Sequence, residues 1–291
     1  MAKKQPPEET AFVLRCCASD GTSRNGFKWP GVGETAAAPD WKDNGNCGHG
    51  LHGWLYGQGD HTTCDYLANE DALWLVVEVK KSDIRMLGGK CKFHSGVVRF
   101  AGMKEQAAEY LVAHEPQAAL VAVIGRSVTV GENEIATVGD LGTATAGDRG
   151  TATAGYRGTA TAGYRGTATA GYSGTATAGY SGTATAGDLG TATAGYSGTA
   201  TAGDSGTATA GDSGTATAGD RGTATAGYSG TATAGDLGTA TAGYSGTICI
   251  KYWDDKKSRY RMVVGYVGED NIKANVAYRL DDDHKFVEVS K

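Results

Sequence analysis

Proline does not occur after Pro116 in this 291-residue chain, and no apolar run reaches the roughly 18 residues that a membrane-spanning helix needs. The opening Met1-Ala2-Lys3-Lys4-Gln5-Pro6-Pro7-Glu8-Glu9 has no apolar core of the kind a secretory leader carries. These absences predict a cytoplasmic protein with no membrane partner. Cysteine is sparse too, at six scattered residues, which suits reduced thiols better than a disulfide scaffold. A net charge of −5 lacks the positive excess that a broad nucleic-acid surface requires.

What the chain does have is one octapeptide, Gly-Thr-Ala-Thr-Ala-Gly followed by two variable residues, repeated thirteen times from Gly142 to Ser245. Glycine-, alanine- and threonine-rich tracts also serve as flexible linkers. Linkers drift in length, whereas these 104 residues contain no insertion or deletion. So strict a period marks a solenoid or fibre in which each copy stacks on a neighbour.

The octet alternates as an extended strand does, placing Thr143 and Thr145 on one face and Ala144 and Ala146 on the other. The imperfect flanks show which face is inside. Ser127-Val128-Thr129-Val130, Ile135-Ala136-Thr137-Val138 and Thr247-Ile248-Cys249-Ile250 place valine and isoleucine mostly at the alanine positions. Alanines are therefore expected inward and the Thr-x-Thr pairs outward. The two glycines of each octet, with Tyr or Asp and then Arg, Ser or Leu between them, are expected to form a corner.

One octet is too short to close a coil, so the expected coil is sixteen residues, with two strands and two corners. The variable positions agree. One alternate set reads Asp148, Tyr164, Tyr180, Tyr196, Asp212, Tyr228, Tyr244, and the other reads Tyr156, Tyr172, Asp188, Asp204, Asp220, Asp236. One edge is tyrosine-rich and the other mainly aspartate. Arg149, Arg157, Arg165 and Arg221 share the corners with six aspartates, so no continuous phosphate-binding stripe is expected.

On Ala-Gly-Tyr-Ser-Gly-Thr-Ala-Thr, as at Ala194 to Thr201, and on the tyrosine edge, the repeat region resembles the bacterial ice nucleation proteins. The resemblance implies sixteen-residue coils, outward Thr-x-Thr rows that order water, and a tyrosine ladder that pairs two solenoids. Carried onto this chain, one water-facing set is Thr143, Thr145, Thr159, Thr161, Thr175, Thr177, Thr191, Thr193, Thr207, Thr209, Thr223 and Thr225. The opposite face carries Thr151, Thr153, Thr167, Thr169 and their successors, and the ladder is Tyr164, Tyr180, Tyr196, Tyr228 and Tyr244.

Geometry supports water ordering independently of the resemblance. Stacked strands about 4.8 Å apart, with same-face residues about 6.8 Å apart, turn the threonines into a flat uncharged grid near ice-like spacings. The plainer alternative is that threonine suits an exposed strand and stacks well in ladders. Thirteen octets give about six and a half coils, or roughly 31 Å, a patch better suited to adsorbing to ice than to seeding it.

The flanks are expected to act as caps. Lys104 to His114 reads as a helix ending before Pro116, and Ala118 to Gly125 as a strand-like run feeding the first coil. Behind the repeat, Ile248 to Trp253, Tyr260 to Val267 and a hairpin from Val276 to Val289 turning at Asp281-Asp282-Asp283 read as strands. Trp253, Tyr260 and Tyr266 are expected to seal the alanine core. The expected organisation is a mainly β protein: an α/β head over residues 1–117, a β-solenoid over 118–253 and a β-rich cap over 254–291.

The head holds the unusual chemistry. Cys47, His49, His52, His61 and Cys64 lie within eighteen residues, and any four offer a tetrahedral zinc donor set. The spacing fits no standard finger, and the intervening glycines point instead to a tight turn or close backbone approach in a buried, hydrogen-bonded structural motif. No cofactor other than zinc is suggested. A glycine-rich loop with His49, His52 and Tyr56, followed by the apolar strand Leu73 to Val79, is also compatible with a nucleotide or substrate pocket of a small transferase. No nucleophile, base or oxyanion donor is identifiable, and the strand pattern of Ala11 to Cys16 favours burial for the Cys16-Cys17 pair. The leading expectation is thus a non-enzymatic surface that orders water or binds ice. A rigid spacer, dimer or filament scaffold presenting the head is its chief alternative.

Overall fold

The structure is a computed structural model describing residues 8–60, 62, 64, 66 and 69–289. It is mainly β and divides into two compact units, one ending at Arg126 and the other beginning at Ser127. Among the described residues no helix is long and apolar enough to cross a membrane.

In the first unit, strands β1 (Thr10–Cys17), β2 (Thr35–Ala37), β3 (Leu51–Leu55), β4 (Leu73–Lys80), β5 (Arg85–Met86), β6 (Cys91–Phe93) and β7 (Ser95–Gly102) form one sheet in the order β2-β7-β4-β1-β3-β6-β5. The sequence-distant β1 and β4 pair antiparallel over their full eight residues, from Thr10 opposite Lys80 to Cys17 opposite Leu73. Val13, Leu75, Val77, Val79, Phe93 and Val98 make the core. Helix α1 (Lys104–His114) falls where the sequence places it and buries Ala107, Ala108 and Leu111. The Glu115 carboxylate just beyond it accepts the Phe12 N–H of β1 at 3.1 Å.

Two expectations for this unit are corrected. The run Ala118 to Gly125 is not a strand. It makes a single 3-10 turn over Ala118–Leu120, and Ile124 then donates its N–H to the Gly57 carbonyl, with Val123 and Ile124 buried. Burial within the first unit consumes this apolar segment. Nor are all six cysteines free thiols, because Cys16 and Cys64 are joined as a disulfide. Cys17, Cys47, Cys91 and Cys249 are free.

The second unit is a β-solenoid of about eight coils. It begins with β8 (Ser127–Val130) and β9 (Ile135–Thr137) and continues through thirteen four-residue strands, from β10 (Thr143–Ala146) to β22 (Thr239–Ala242). It ends with β23 (Thr247–Asp254), β24 (Arg259–Tyr266), β25 (Tyr278–Leu280) and β26 (Phe286–Glu288). Alternate copies enter opposite sheets, and each residue pairs in parallel with the one sixteen positions on, as Thr143 with Thr159 and Ala144 with Ala160. The sixteen-residue coil is therefore the physical repeat.

Every second residue of the strands is an inward alanine, such as Ala144, Ala160 and Ala176, each without exposed surface. Through the thirteen octets the core is built of methyl groups, which lets the two sheets lie close together. The octet glycines answer the same closeness. The left-handed conformation of each corner belongs to the residue before the second glycine, such as Arg149 (φ 56°) or Ser173 (φ 53°). Glycine is needed instead for approach. A Cβ on Gly182 would lie 2.8 Å from the Ala178 Cβ and 2.9 Å from the carbonyl oxygen of Gly166 in the preceding coil.

The parallel stack is terminated by reversed strands. β24 pairs antiparallel with β23, and the β25–β26 hairpin, turning at Asp281 as expected, joins β22 through Tyr278 opposite Ala240. The side chains that close the core are not the expected ones. Trp253, Tyr260 and Tyr266 are exposed, whereas Ile248, Ile250, Ile272 and Tyr278 are buried against the alanines, with Leu280 and Phe286 packed beside them. Lying on β23 and β24 at the outward positions of the alternation, Trp253, Tyr260 and Tyr266 continue the threonine face rather than the core.

Candidate functional site

Two surfaces carry the candidate residues, the outer faces of the solenoid and a cavity in the first unit. On the ten-stranded sheet, ordered β26-β25-β22-β20-β18-β16-β14-β12-β10-β8, the expected threonines form two columns. Thr143, Thr159, Thr175, Thr191, Thr207 and Thr223 are exposed, while Thr145, Thr161, Thr177, Thr193, Thr209 and Thr225 are half-buried. In-register pairing places Thr175 directly beside Thr159 and Thr191, and Thr177 beside Thr161 and Thr193. Strands from β10 to β22 contain threonine and alanine alone, so these faces bear no charge. The opposite sheet carries the same pattern through Thr151, Thr153, Thr167 and Thr169.

Within the thirteen octets charge is confined to the corners, where aspartate and tyrosine act differently. Oδ1 of Asp148 accepts the backbone N–H of Tyr164 one coil on at 2.8 Å, and Asp212 does the same for Tyr228 at 2.8 Å. On the other edge Asp188, Asp204 and Asp220 accept the N–H groups of Asp204, Asp220 and Asp236. Tyrosines stack instead. The Tyr180 ring lies 5.5 Å from Tyr164 and 5.0 Å from Tyr196, nearly parallel to both. Tyr228 and Tyr244 continue the edge beyond Asp212, so the ladder is a run of three stacked rings, an aspartate, then two more tyrosines. All five are exposed.

Four of the five candidate zinc donors, Cys47, His49, His52 and Cys64, lie among the described residues. Cys47 Sγ lies 3.9 Å from His52 Nε2. His49 Nδ1 faces Asp40 Oδ2 at 3.4 Å, and Cys64 is bonded to Cys16. His61 lies outside the described residues. Among the described residues no three His, Cys, Asp or Glu side chains converge as a metal site.

What the glycine-rich loop does border is a cavity of about 780 Å³. Of the three residues expected to line a pocket there, His52 does so among the described residues, joined by Arg15, Arg24, Lys28, Lys90 and Asp40. Burial, with Lys90, Arg15 and Lys92 nearby, pushes His52 down to about 4. The Gly50 N–H, and then His49, hold Asp40 below the usual carboxylate range. Lys92, fully buried at the edge of this region, is satisfied by Asn44 Oδ1 and the Asn46 carbonyl, each at 2.8 Å. Sequence reasoning missed the cationic lining because its members come from segments far apart in the chain.

The fold and faces define a β-solenoid repeat protein with uncharged threonine surfaces. Its relatives include the ice nucleation protein of Xanthomonas campestris pv. translucens, 40% identical over 110 residues, which is 37% of this chain and 7% of that protein. The ice nucleation protein of Pseudomonas syringae pv. syringae is 42% identical over 109 residues, 37% of this chain and 9% of that one. That of Pseudomonas fluorescens is 32% identical over 105 residues, 35% and 8% respectively. The chain thus spans less than a tenth of the length of these relatives. Residues 11–113 match a family described as a domain of unknown function (DUF7666). No solved structure matches the chain. These relatives and the solenoid bear out the resemblance drawn from the octapeptide.

Proposed function

We propose that the solenoid works through its threonine faces, ordering water or binding ice without covalent chemistry. The observation that carries this reading is the in-register parallel stacking of identical Thr-Ala-Thr-Ala strands, which sets uncharged threonine columns one coil apart on both sheets. Each threonine offers a methyl group and a hydroxyl at spacings of about 4.8 by 6.8 Å. The relatives named ice nucleation protein support the same reading. A patch roughly 31 Å long favours adsorption to existing crystals over seeding. Side-by-side pairing through Tyr164, Tyr180, Tyr196, Tyr228 and Tyr244, or joining of solenoids into a filament, would enlarge it.

A scaffold role is the second reading, favoured by the stacked and exposed tyrosines of one edge. Partition of fluorescently labelled protein into a slowly growing ice hemisphere separates the two. Thr175→Lys combined with Thr191→Lys sets two charges on adjacent coils of one face. Its Thr183→Lys, Thr199→Lys counterpart does the same on the other. Uptake by the wild type and its loss in a lysine variant supports the threonine faces; exclusion of wild type and variants alike rejects them in favour of the scaffold.

A further inference from the structure

We propose that the cavity of the N-terminal unit binds a phosphorylated small molecule of nucleotide size. Its volume, about 780 Å³, lies within the range of small-molecule sites. Arg15, Lys28 and Lys90 line it with Arg24, and Asp40 is the carboxylate among its described lining residues. That carboxylate is already engaged, accepting the Gly50 N–H at 3.1 Å and facing His49 at 3.4 Å. Lys28 also lies 3.8 Å from Asp20 at the solvent side, an exposed pair that holds it only weakly.

Arg15 is the fixed point of the site. One terminal nitrogen donates to the His52 carbonyl at 2.7 Å and the other to Ser23 Oγ at 2.8 Å, and the guanidinium lies 5.0 Å from the Trp29 ring. These neutral partners orient the charge without cancelling it. Its Nε is enclosed and has no acceptor among the described residues. Withdrawing a guanidinium from water without a counterion is unfavourable, so the site gains when an anion enters. Burial lowers Arg15 only to about 10, and His52 beside it to about 4, so at neutral pH the guanidinium is charged and the imidazole is not.

The arrangement selects a multiply charged ligand with a planar part. Its cations come from β1, from the loop carrying Arg24 and Lys28, and from the turn before β6, so they surround the space rather than clamp one carboxylate. Phe27, Trp54 and Tyr66 add aromatic residues to the lining. Gly48, also in the lining, has φ 115°, and no atom lies within 4 Å of where a Cβ would stand, so the backbone there is open to close approach.

Isothermal titration of the 291-residue chain with ADP, pyrophosphate and adenosine at low ionic strength tests the proposal. ADP and pyrophosphate are expected to bind, with adenosine at least about tenfold weaker than ADP. Lys28→Ala and Lys90→Ala, at exposed and half-buried positions, should each weaken ADP about fivefold at unchanged melting temperature. Arg15→Gln should abolish binding, and the lysine variants carry the test if that protein does not fold. Absence of binding by both ADP and pyrophosphate, adenosine binding as tightly as ADP, or an affinity indifferent to both lysine substitutions each overturns it.

Discussion

Asp220 donates its backbone N–H to the carboxylate of Asp204 at 2.9 Å, one full coil away in the solenoid. Asp204 donates likewise to Asp188, and Asp236 to Asp220, so a column of four aspartates climbs one edge. The carboxylates of Asp188, Asp204 and Asp220 each satisfy a corner N–H, yet like charges stand about 4.8 Å apart, one strand spacing. Asp204→Ala should remove the bond and cost about 0.5–1.5 kcal/mol in urea unfolding. Asp204→Asn keeps an acceptor and removes a charge, so it should equal or exceed wild-type stability, most clearly at low salt where repulsion is least screened.

Gly182→Ala should destabilise the solenoid by roughly 1–3 kcal/mol, read as a lower thermal midpoint, because backbone and Ala178 crowd the added methyl. A flexible linker would tolerate the same change, so an unaltered midpoint contradicts the stacked coil.

Tyr164→Ala, Tyr180→Ala and Tyr196→Ala together remove the three stacked rings. Under the pairing hypothesis sedimentation of the triple variant yields monomers where the wild type yields dimers. A wild type that stays monomeric at every concentration refutes pairing.

His52 ties stability of the first unit to pH. Its folded value, about 4, lies below the ordinary 6.5, so protons bind the unfolded chain first. The contribution is complete above pH 6.5 and is lost as pH falls toward 4. Lys90, Arg15, Lys92 and Asp40 are the charged groups acting on the ring, with the Cys47 thiol 3.9 Å away. His52→Gln should therefore flatten the decline in melting temperature between pH 6.5 and 4 while leaving that of other acid-sensitive groups. A profile identical to wild type would show that His52 does not resist protonation.

Much of the solenoid was legible because its determinants are local and periodic. Alternation set Ala144 inside and Thr143 outside, and the Asp/Tyr alternation at the corners exposed the coil length. The helix Lys104–His114 and the hairpin turning at Asp281 were legible from the same kind of pattern. The sealing residues were not, because size alone suggested Trp253 and Tyr260, while alternation along β23 and β24 points them outward. In the head, Cys47, His49, His52, His61 and Cys64 lie close in sequence, but among the described residues no three such donors converge, because Cys64 is bonded to Cys16 and His49 faces Asp40.

By itself the sequence determined the strand period, the inward alanines, the threonine faces and the sixteen-residue coil, since each follows from side-chain alternation and short-range repetition. Tertiary structure alone decided the roles of the octet glycines, the reversed strands that end the stack, the Cys16–Cys64 bond and the cationic cavity. Those features depend on which distant segments meet at a few ångströms, as when antiparallel pairing sets Cys17 opposite Leu73. A repeated motif specifies its own neighbours, whereas a non-repeating sheet acquires its neighbours only when the whole chain packs.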